Sequence, residues 1–350
     1  MEKRTSMKDI AQKVGVSTAL VSYVLNNKNE NRINKAVALK IREVAAALNY
    51  RTNQIARSLK TNKTFTLGLI VVDIANPFSA NLARIIEDEA DKNNYTVLFG
   101  SSDESLERSD KLVQTFLDRQ VDGLIIAPGE NAASQVKLLQ EQRIPFVLID
   151  RYFPAIQTNY VAIDNYAASF AAVSHLAICG YKRIGMINFD TTLFNLSERT
   201  RGYMHALEKN RRVVKQPLLE LVANNYENIK ENVERAMNNL LGLDEPVDAL
   251  LFATNTIATQ GLKYANAMKI RVPEELALVS FDKTDVMDLF YSPLTYIDQP
   301  IGEMGRLATK ILIETIEGST VIKQLNLPAQ LVIRSSTVDD KKPLLKRMRR

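Results

Sequence analysis

From residue 67 onward, apolar runs of four to seven residues alternate with helix-length stretches, and this alternation constrains the fold more than any other feature. The runs are Leu67–Val72, Thr96–Phe99, Gly123–Ala127, Pro145–Asp150, Arg183–Asn188, Leu218–Val222, Ala249–Thr254 and Leu276–Asp282. Between them lie Ala80–Lys92, Leu106–Arg119, Tyr166–Cys179, Ser197–Lys209, Ile229–Leu241 and Ile257–Met268. Nearly continuous apolar strands separated by helices imply parallel sheets covered on both faces, an α/β body. Eight strands fit a (β/α)8 barrel, one wide sheet, or two smaller doubly wound sheets. Asn159–Asp164 falls midway with no apolar strand of its own and reads as a crossover, so two lobes facing a cleft is the preferred arrangement.

Charge divides the 350 residues differently. Residues 1–63 carry a formal +9, residues 64–337 carry −8, and the last 13 carry +4. A small basic head on a larger acidic body suits a polyanion-binding module joined to something else; the plainer alternative is a solvated charged face. No apolar run approaches the ~20 residues that span a bilayer. The charged N-terminus lacks a secretory apolar stretch, and one cysteine, Cys179, suits a reducing cytosol, so a cytoplasmic protein is expected. With only His175 and His205 besides, no zinc site or Cys/His catalytic pair is expected, and no cofactor.

The head reads as three short helices. Met7, Ile10, Ala11 and Val14 stand at i, i+3, i+4 and i+7. Gly15-Val16-Ser17 then interrupts, with Gly permitting a tight turn and Ser17 a good N-cap. A third helix runs from Asn34 to Asn49, with Val37, Ile41, Val44, Ala45 and Leu48 on one stripe. Together these make a small all-α helix-turn-helix unit. On the middle helix Leu20, Val21, Val24 and Leu25 fall in one arc and Thr18, Ala19, Ser22 and Tyr23 in the opposite one. The second arc offers hydroxyls, a methyl and a ring, suited to base edges and phosphates in a major groove. For Tyr23 the alternative is a ring lying on its surface neighbours, and for Thr18 a cap or a solvent contact.

The run Met7-Lys-Asp-Ile-Ala-Gln-Lys-Val-Gly-Val-Ser-Thr-Ala-Leu-Val-Ser-Tyr-Val-Leu-Asn26 closely resembles the N-terminus of the lactose/galactose-repressor (LacI/GalR) family of bacterial transcription regulators. Leu48-Asn-Tyr-Arg-Thr-Asn-Gln-Ile-Ala-Arg-Ser-Leu-Lys60 resembles that family's hinge, and the resemblance continues to about residue 337. It implies that Thr18, Ala19 and Tyr23 read an operator and that Asn53–Lys60 becomes helical only on DNA. It also implies that Leu59 wedges between base pairs in the minor groove, with Arg57 and Lys60 neutralising phosphates. Without the family, Leu59 would be read as packing on the third helix or the body.

In doubly wound sheets ligands bind beyond the carboxyl ends of the strands. The polar and aromatic residues there are Asn76 and Phe78 after the first run, Asp150 and Arg151 after the fourth, and Asn255, Asp282 and Gln299. The last follows the strand-like Leu294–Asp298, and Arg199 stands near a helix start. Carboxylates, amides and Arg can bond vicinal hydroxyls, and Phe78 offers a flat face, so the set suits a small polyhydroxylated molecule. Singly, each is as readily a helix cap. The resemblance implies a periplasmic-binding-protein-like sensor in which these same positions contact a sugar. Two departures stand out: Thr256 where the family often has an acid, and Ser79 where a second aromatic is frequent. They imply a ligand that is smaller, differently charged or other than a plain hexose.

No Gly-x-Gly-x-x-Gly loop after a strand, Walker-type loop, Gly-x-Ser-x-Gly elbow or His-x-x-x-His pair is present. Asp150 and Asp282 could serve as the paired carboxylates of a glycosidase, and the alternative reading is a sugar- or nucleotide-processing enzyme with a DNA-binding head. An exported sugar-binding module is the third. The expectation is a non-enzymatic regulator, a repressor, in which effector binding shifts the angle between lobes and so the hinges of paired subunits. A hinge helix below ~12–15 residues does not hold alone in water, which implies a homodimer and a palindromic double-stranded operator; the tail has no leucine heptad for a tetramer. The expected domains are a head at 1–52, a hinge at 53–63, an effector and dimerisation body at 64–337, and a basic tail at 338–350. Within the body one lobe is expected from 64–162 with 294–320, the other from 163–293 with 321–337.

Overall fold

The computed structural model describes residues 5–25, 32–50, 63–211, 213–224 and 226–338. It divides into two compact units, residues 1–64 and 65–350.

In the first unit α1 (Met7–Val14) starts at Ser6, whose side chain accepts from the Asp9 amide while Asp9 caps the Ser6 amide in return. It ends at Gly15, whose φ of +80° is the left-handed conformation an L side chain resists. Ser17 accepts from the Leu20 amide at 3.2 Å to start α2 (Thr18–Leu25), and Asn34 caps α3 (Lys35–Ala47). Ile10, Ala11, Val21, Val24, Ile41 and Ala45 form the buried centre. These helices are therefore positioned by a few apolar contacts and by side-chain caps, each worth roughly 1 kcal/mol.

The second unit begins β1 (Thr66–Val71), α4 (Pro77–Lys92), β2 (Thr96–Ser101), α5 (Leu106–Asp118), β3 (Gly123–Ile126), α6 (Ala133–Glu141), β4 (Phe146–Ile149) and β5 (Tyr160–Ile163). It continues α7 (Asn165–Ile178), β6 (Ile184–Asp190), α8 (Phe194–Lys209), β7 (Leu218–Ala223), α9 (Ile229–Leu241), β8 (Ala249–Phe252) and α10 (Asn255–Ala267). The last elements are β9 (Ala277–Phe281), α11 (Asp285–Leu289), β10 (Thr295–Asp298), α12 (Ile301–Ile316), β11 (Gln324–Leu327) and β12 (Gln330–Val332). The strands form two six-stranded sheets, ordered β11-β5-β4-β3-β1-β2 and β12-β10-β9-β8-β6-β7. All pairings are parallel except β10 with β12. In each sheet the strand order reverses beside the first strand, the place where doubly wound sheets leave a crevice.

Three findings correct the sequence reading. Residues 159–164 are not only a crossover: Tyr160–Ile163 is a fully buried strand between β4 and β11. No helix separates it from β4, so it lacks the strand–helix alternation that announces the other strands. Thr295–Asp298, expected in the first lobe, pairs with Ala277–Phe281 in the second sheet. Gln324–Leu327, expected in the second lobe, pairs with Tyr160–Ile163 in the first. Neither β10 nor β11 is long enough to declare its sheet, and partner choice is a tertiary property. The chain therefore passes between lobes near residues 164, 299–300 and 328–329, and three strands of chain tie the lobes together.

Two helices of the second lobe, α7 and α8, lie unusually close. A Cβ at Gly202 would stand 2.3 Å from the Tyr166 carbonyl oxygen and 3.0 Å from the Phe170 nitrogen. Only a glycine allows that approach, which fixes the position of the α8 side chains facing the cleft. Among the described residues, no helix is long and apolar enough to cross a membrane.

Candidate functional site

On α2 the core side and the outward side separate as expected from a helical repeat. Val21 and Val24 are buried, with Leu20 and Leu25 packed on the same cluster. Thr18, Ala19 and Tyr23 are exposed, Tyr23 at 44%, and Ser22 is half-buried between them. The turn before the helix is closed by Gly15 and Ser17, which sets where this face starts. Arg57, Leu59 and Lys60 lie outside the described residues.

The body concentrates its buried polar chemistry where the carboxyl ends of the two sheets face each other. All eight sequence-selected residues, Asn76, Phe78, Asp150, Arg151, Arg199, Asn255, Asp282 and Gln299, line one cleft. Asn76 caps α4 by accepting from the Phe78 amide at 3.0 Å, so its capping reading is also correct. The same oxygen accepts from Asn255 Nδ2 at 2.8 Å, and Asn76 Nδ2 donates to Asn255 Oδ1 at 3.2 Å. This reciprocal amide pair joins the lobes directly. Asn255 opens α10, and its backbone amide donates to Asp282 Oδ2 at 3.4 Å. Gln299 Nε2 donates to Asp282 Oδ1 at 2.5 Å.

Arg199 is held on α8 at 3% exposure. Its Nε donates to Asn165 Oδ1 at 2.8 Å, its Nη1 to the Ala253 carbonyl at 2.6 Å, and its guanidinium carbon lies 3.9 Å above the Phe281 ring. Burial lowers its pKa, and the negative charges of Asp282 and Asp150 oppose that shift. Arg151 donates in bidentate fashion to Glu104, with Nη1 to Oε2 at 2.9 Å and Nη2 to Oε1 at 2.8 Å. Glu104, Asp150 and Asp282 all sit at positive φ, +59°, +66° and +71°. Such backbone costs of order 1–3 kcal/mol each and gathers at ligand-binding sites.

Further contacts close the cleft. The Thr192 amide and hydroxyl both donate to Glu130 Oε1, the latter at 2.8 Å, and Asn224 Nδ2 donates to Glu104 Oε1 at 3.3 Å. Tyr152 meets Phe194 edge-on at 5.3 Å between ring centres. The room left is about 80 Å³, against the roughly 300–1,000 Å³ of pockets for drug-sized ligands. A guest larger than a few waters therefore has to part the lobes or break the Asn76–Asn255 pair.

Sequence reasoning missed Glu104, Asn165, Asn195 and Asn224. Glu104 and Asn195 follow strands β2 and β6 and obey the very rule that selected the others. Asn165 was hidden because the strand before it was read as a crossover. Ser79 and Thr256, noted as departures, also line the cleft. Among the described residues no group of three or more His, Cys, Asp or Glu is placed to hold a metal ion.

Asp150 carries a testable electrostatic signature. Burial pushes its carboxyl above the usual range, Arg151 and Arg199 pull it back, and Asp282 and Glu104 add to the rise. A raised carboxyl binds its proton more tightly folded than unfolded. Its ionisation thus costs stability at neutral pH, and the cost is relieved as pH falls toward the ordinary value near 3.8. Asp150→Asn is expected to raise the melting temperature at pH 7 and to remove this gain on acidification. Melting curves of both proteins from pH 4.5 to 7 check it; a variant less stable at every pH contradicts it.

Comparison with known proteins places this geometry. Residues 6–53 match the model of bacterial regulatory proteins of the lacI family, and residues 173–337 match a periplasmic binding protein-like domain. The HTH-type transcriptional repressor CytR of Escherichia coli K12 is 30% identical over 338 residues, 96% of this chain and 97% of that protein. The chain belongs to the lacI family. Catabolite control protein A of Priestia megaterium, another relative, is 32% identical over 94% of this chain and 98% of its own length. A solved lac repressor dimer bound to operator and the anti-inducer ONPF shares the fold with a TM-score of 0.83. That match covers 96% of this chain and all of the other at 21% identity. This lacI-family chain is accordingly a transcriptional regulator with a helix-turn-helix head and an α/β body.

Proposed function

We propose that the protein is a cytoplasmic, non-enzymatic repressor that binds a palindromic operator as a homodimer and changes its DNA affinity on binding a small sugar or sugar derivative. Thr18, Ala19, Ser22 and Tyr23 read base edges, and residues 53–63 form the hinge, with Leu59 as the minor-groove wedge and Arg57 and Lys60 on phosphates. Asn76, Phe78, Asp150, Arg151, Arg199, Asn255, Asp282 and Gln299 hold the effector within a body of residues 64–337; residues 338–350 form a basic tail.

The observation that carries this reading is the cleft itself. Its polar groups come from both lobes and are joined across it by direct hydrogen bonds. An occupant must exchange those bonds for its own, so its binding energy differs between lobe arrangements, which is what coupling to a second site requires. The lac repressor that shares this fold is a dimer bound to operator and the anti-inducer ONPF, which supports the dimer, the operator and the small-molecule control. Asp282, whose two oxygens already accept from Gln299 and Asn255, is better suited to hold than to act as a hydrolytic acid or nucleophile.

Leu59→Ala tests the DNA half. Loss of the wedge is expected to weaken binding to the preferred operator by about tenfold or more, since unstacking a step costs a few kcal/mol that only the wedged complex recovers. Binding to random duplex should hardly change. Gel shifts with both duplexes at one salt concentration measure it, and equal losses on the two contradict the wedge.

A further inference from the structure

Three buried acceptor oxygens on the cleft have no hydrogen-bond partner: Asp150 Oδ1, Asn195 Oδ1 and Gln299 Oε1. Their residues are 9%, 4% and 5% exposed and all line the same cleft. The Gln299 amide is oriented by its donation to Asp282, so the oxygen is the orphan end. A buried acceptor left without a donor is costly, and a guest that supplies donors removes the cost.

The charges point the same way. Asp73, Glu104, Asp150 and Asp282 line the cleft against Arg151 and Arg199, a formal −2. The Arg151 fork is already filled, and Arg199 has already spent its Nε and Nη1. Both Arg151 Nη atoms are held by Glu104, while Arg199 is committed to Asn165 and the Ala253 carbonyl. Bidentate arginine is the usual way a protein recognises phosphate or carboxylate, and at Arg151 that fork is already occupied.

We infer that the cleft selects a small molecule with several hydroxyl or amine donors and no anionic group, a polyol or amino-polyol. We further infer that Glu104 sets this specificity by holding Arg151 away from anionic guests. This rests on the cleft being the effector site and names the chemical class of that effector. Phosphorylated or carboxylated counterparts would face unpartnered acceptors and a like charge, with the Arg151 fork already filled by Glu104.

Ion exchange separates a small-molecule extract of the bacterium carrying the gene into anionic, neutral and cationic fractions. Each is added to the full-length protein and its melting temperature is read. The neutral or cationic fraction should raise it, and the anionic fraction should leave it unchanged. Glu104→Gln, which keeps the side-chain volume but releases the Arg151 charge, should gain a rise in melting temperature with the anionic fraction at concentrations that leave the wild type unmoved. The wild-type comparison stands whether or not that variant folds. A wild-type shift that is equal with, or confined to, the anionic fraction overturns the ligand class. A folded Glu104→Gln protein that still ignores anions overturns the role of Glu104. A shift with no fraction contradicts the effector reading itself, and the inference falls with it.

Discussion

Arg199→Ala is expected to lower the melting temperature of the body by roughly 6–15 °C, the largest stability loss of any single substitution in the cleft. The residue is 3% exposed and its guanidinium interacts electrostatically with Asp282 and Asp150. Removing a cation from a buried cluster that is already net negative leaves its carboxylates uncompensated, which costs about 3–5 kcal/mol. At about 2–3 °C per kcal/mol for a domain of this size, that gives the stated range. The Asn165 amide and the Ala253 carbonyl lose their donor as well. Arg199→Lys should recover only part of the loss, because an ammonium cannot bond both partners while lying flat on Phe281. Thermal unfolding of the three proteins at pH 7 decides this. A loss under 2 °C for the alanine variant would mean that the acidic residues are satisfied without the arginine.

The largest expected effect on DNA is at Tyr23. Its ring is exposed on the outward face of α2 while its neighbours Val21 and Val24 fill the core, so replacing it leaves the fold of the head intact. Tyr23→Ala is expected to weaken binding to the preferred duplex by roughly 10- to 100-fold, the 1–3 kcal/mol of a base-reading contact. Non-specific binding depends on the basic charges of the head and should remain. Titrating specific and random duplexes at fixed salt measures the two affinities. A parallel fall in both would remove Tyr23 from sequence readout and return it to a phosphate or packing role.

Much of this is legible in the amino-acid sequence, for reasons that differ by element. The long apolar runs of the body and the i, i+3, i+4, i+7 stripe of the head state their structure locally, because burial on two faces or on one leaves a periodic trace. Strand partners leave no such trace. Thr295–Asp298 and Gln324–Leu327 are four-residue strands whose sheet is decided by the crossovers, so the lobe boundaries were misplaced around them. The cleft residues were found by position at strand ends, a rule with physical content, and all eight converge. What the rule could not supply was partnership. That Arg151 is clamped by Glu104, 47 residues away in sequence, depends on the loops after β2 and β4 meeting. That Asn76 binds Asn255 depends on the lobes closing.

The account stands on one link, that occupancy between the lobes governs how the basic front segment holds duplex DNA. The most direct measurement selects bound duplexes from a random double-stranded pool with the full-length protein. The affinity for the enriched duplex is then titrated with and without the metabolite fraction that raises the melting temperature. The account predicts enrichment of an inverted repeat and an affinity that changes by about 5- to 150-fold, the range of ordinary allosteric coupling. A pool that shows no sequence preference, or an affinity unmoved by a fraction that demonstrably stabilises the body, would contradict it.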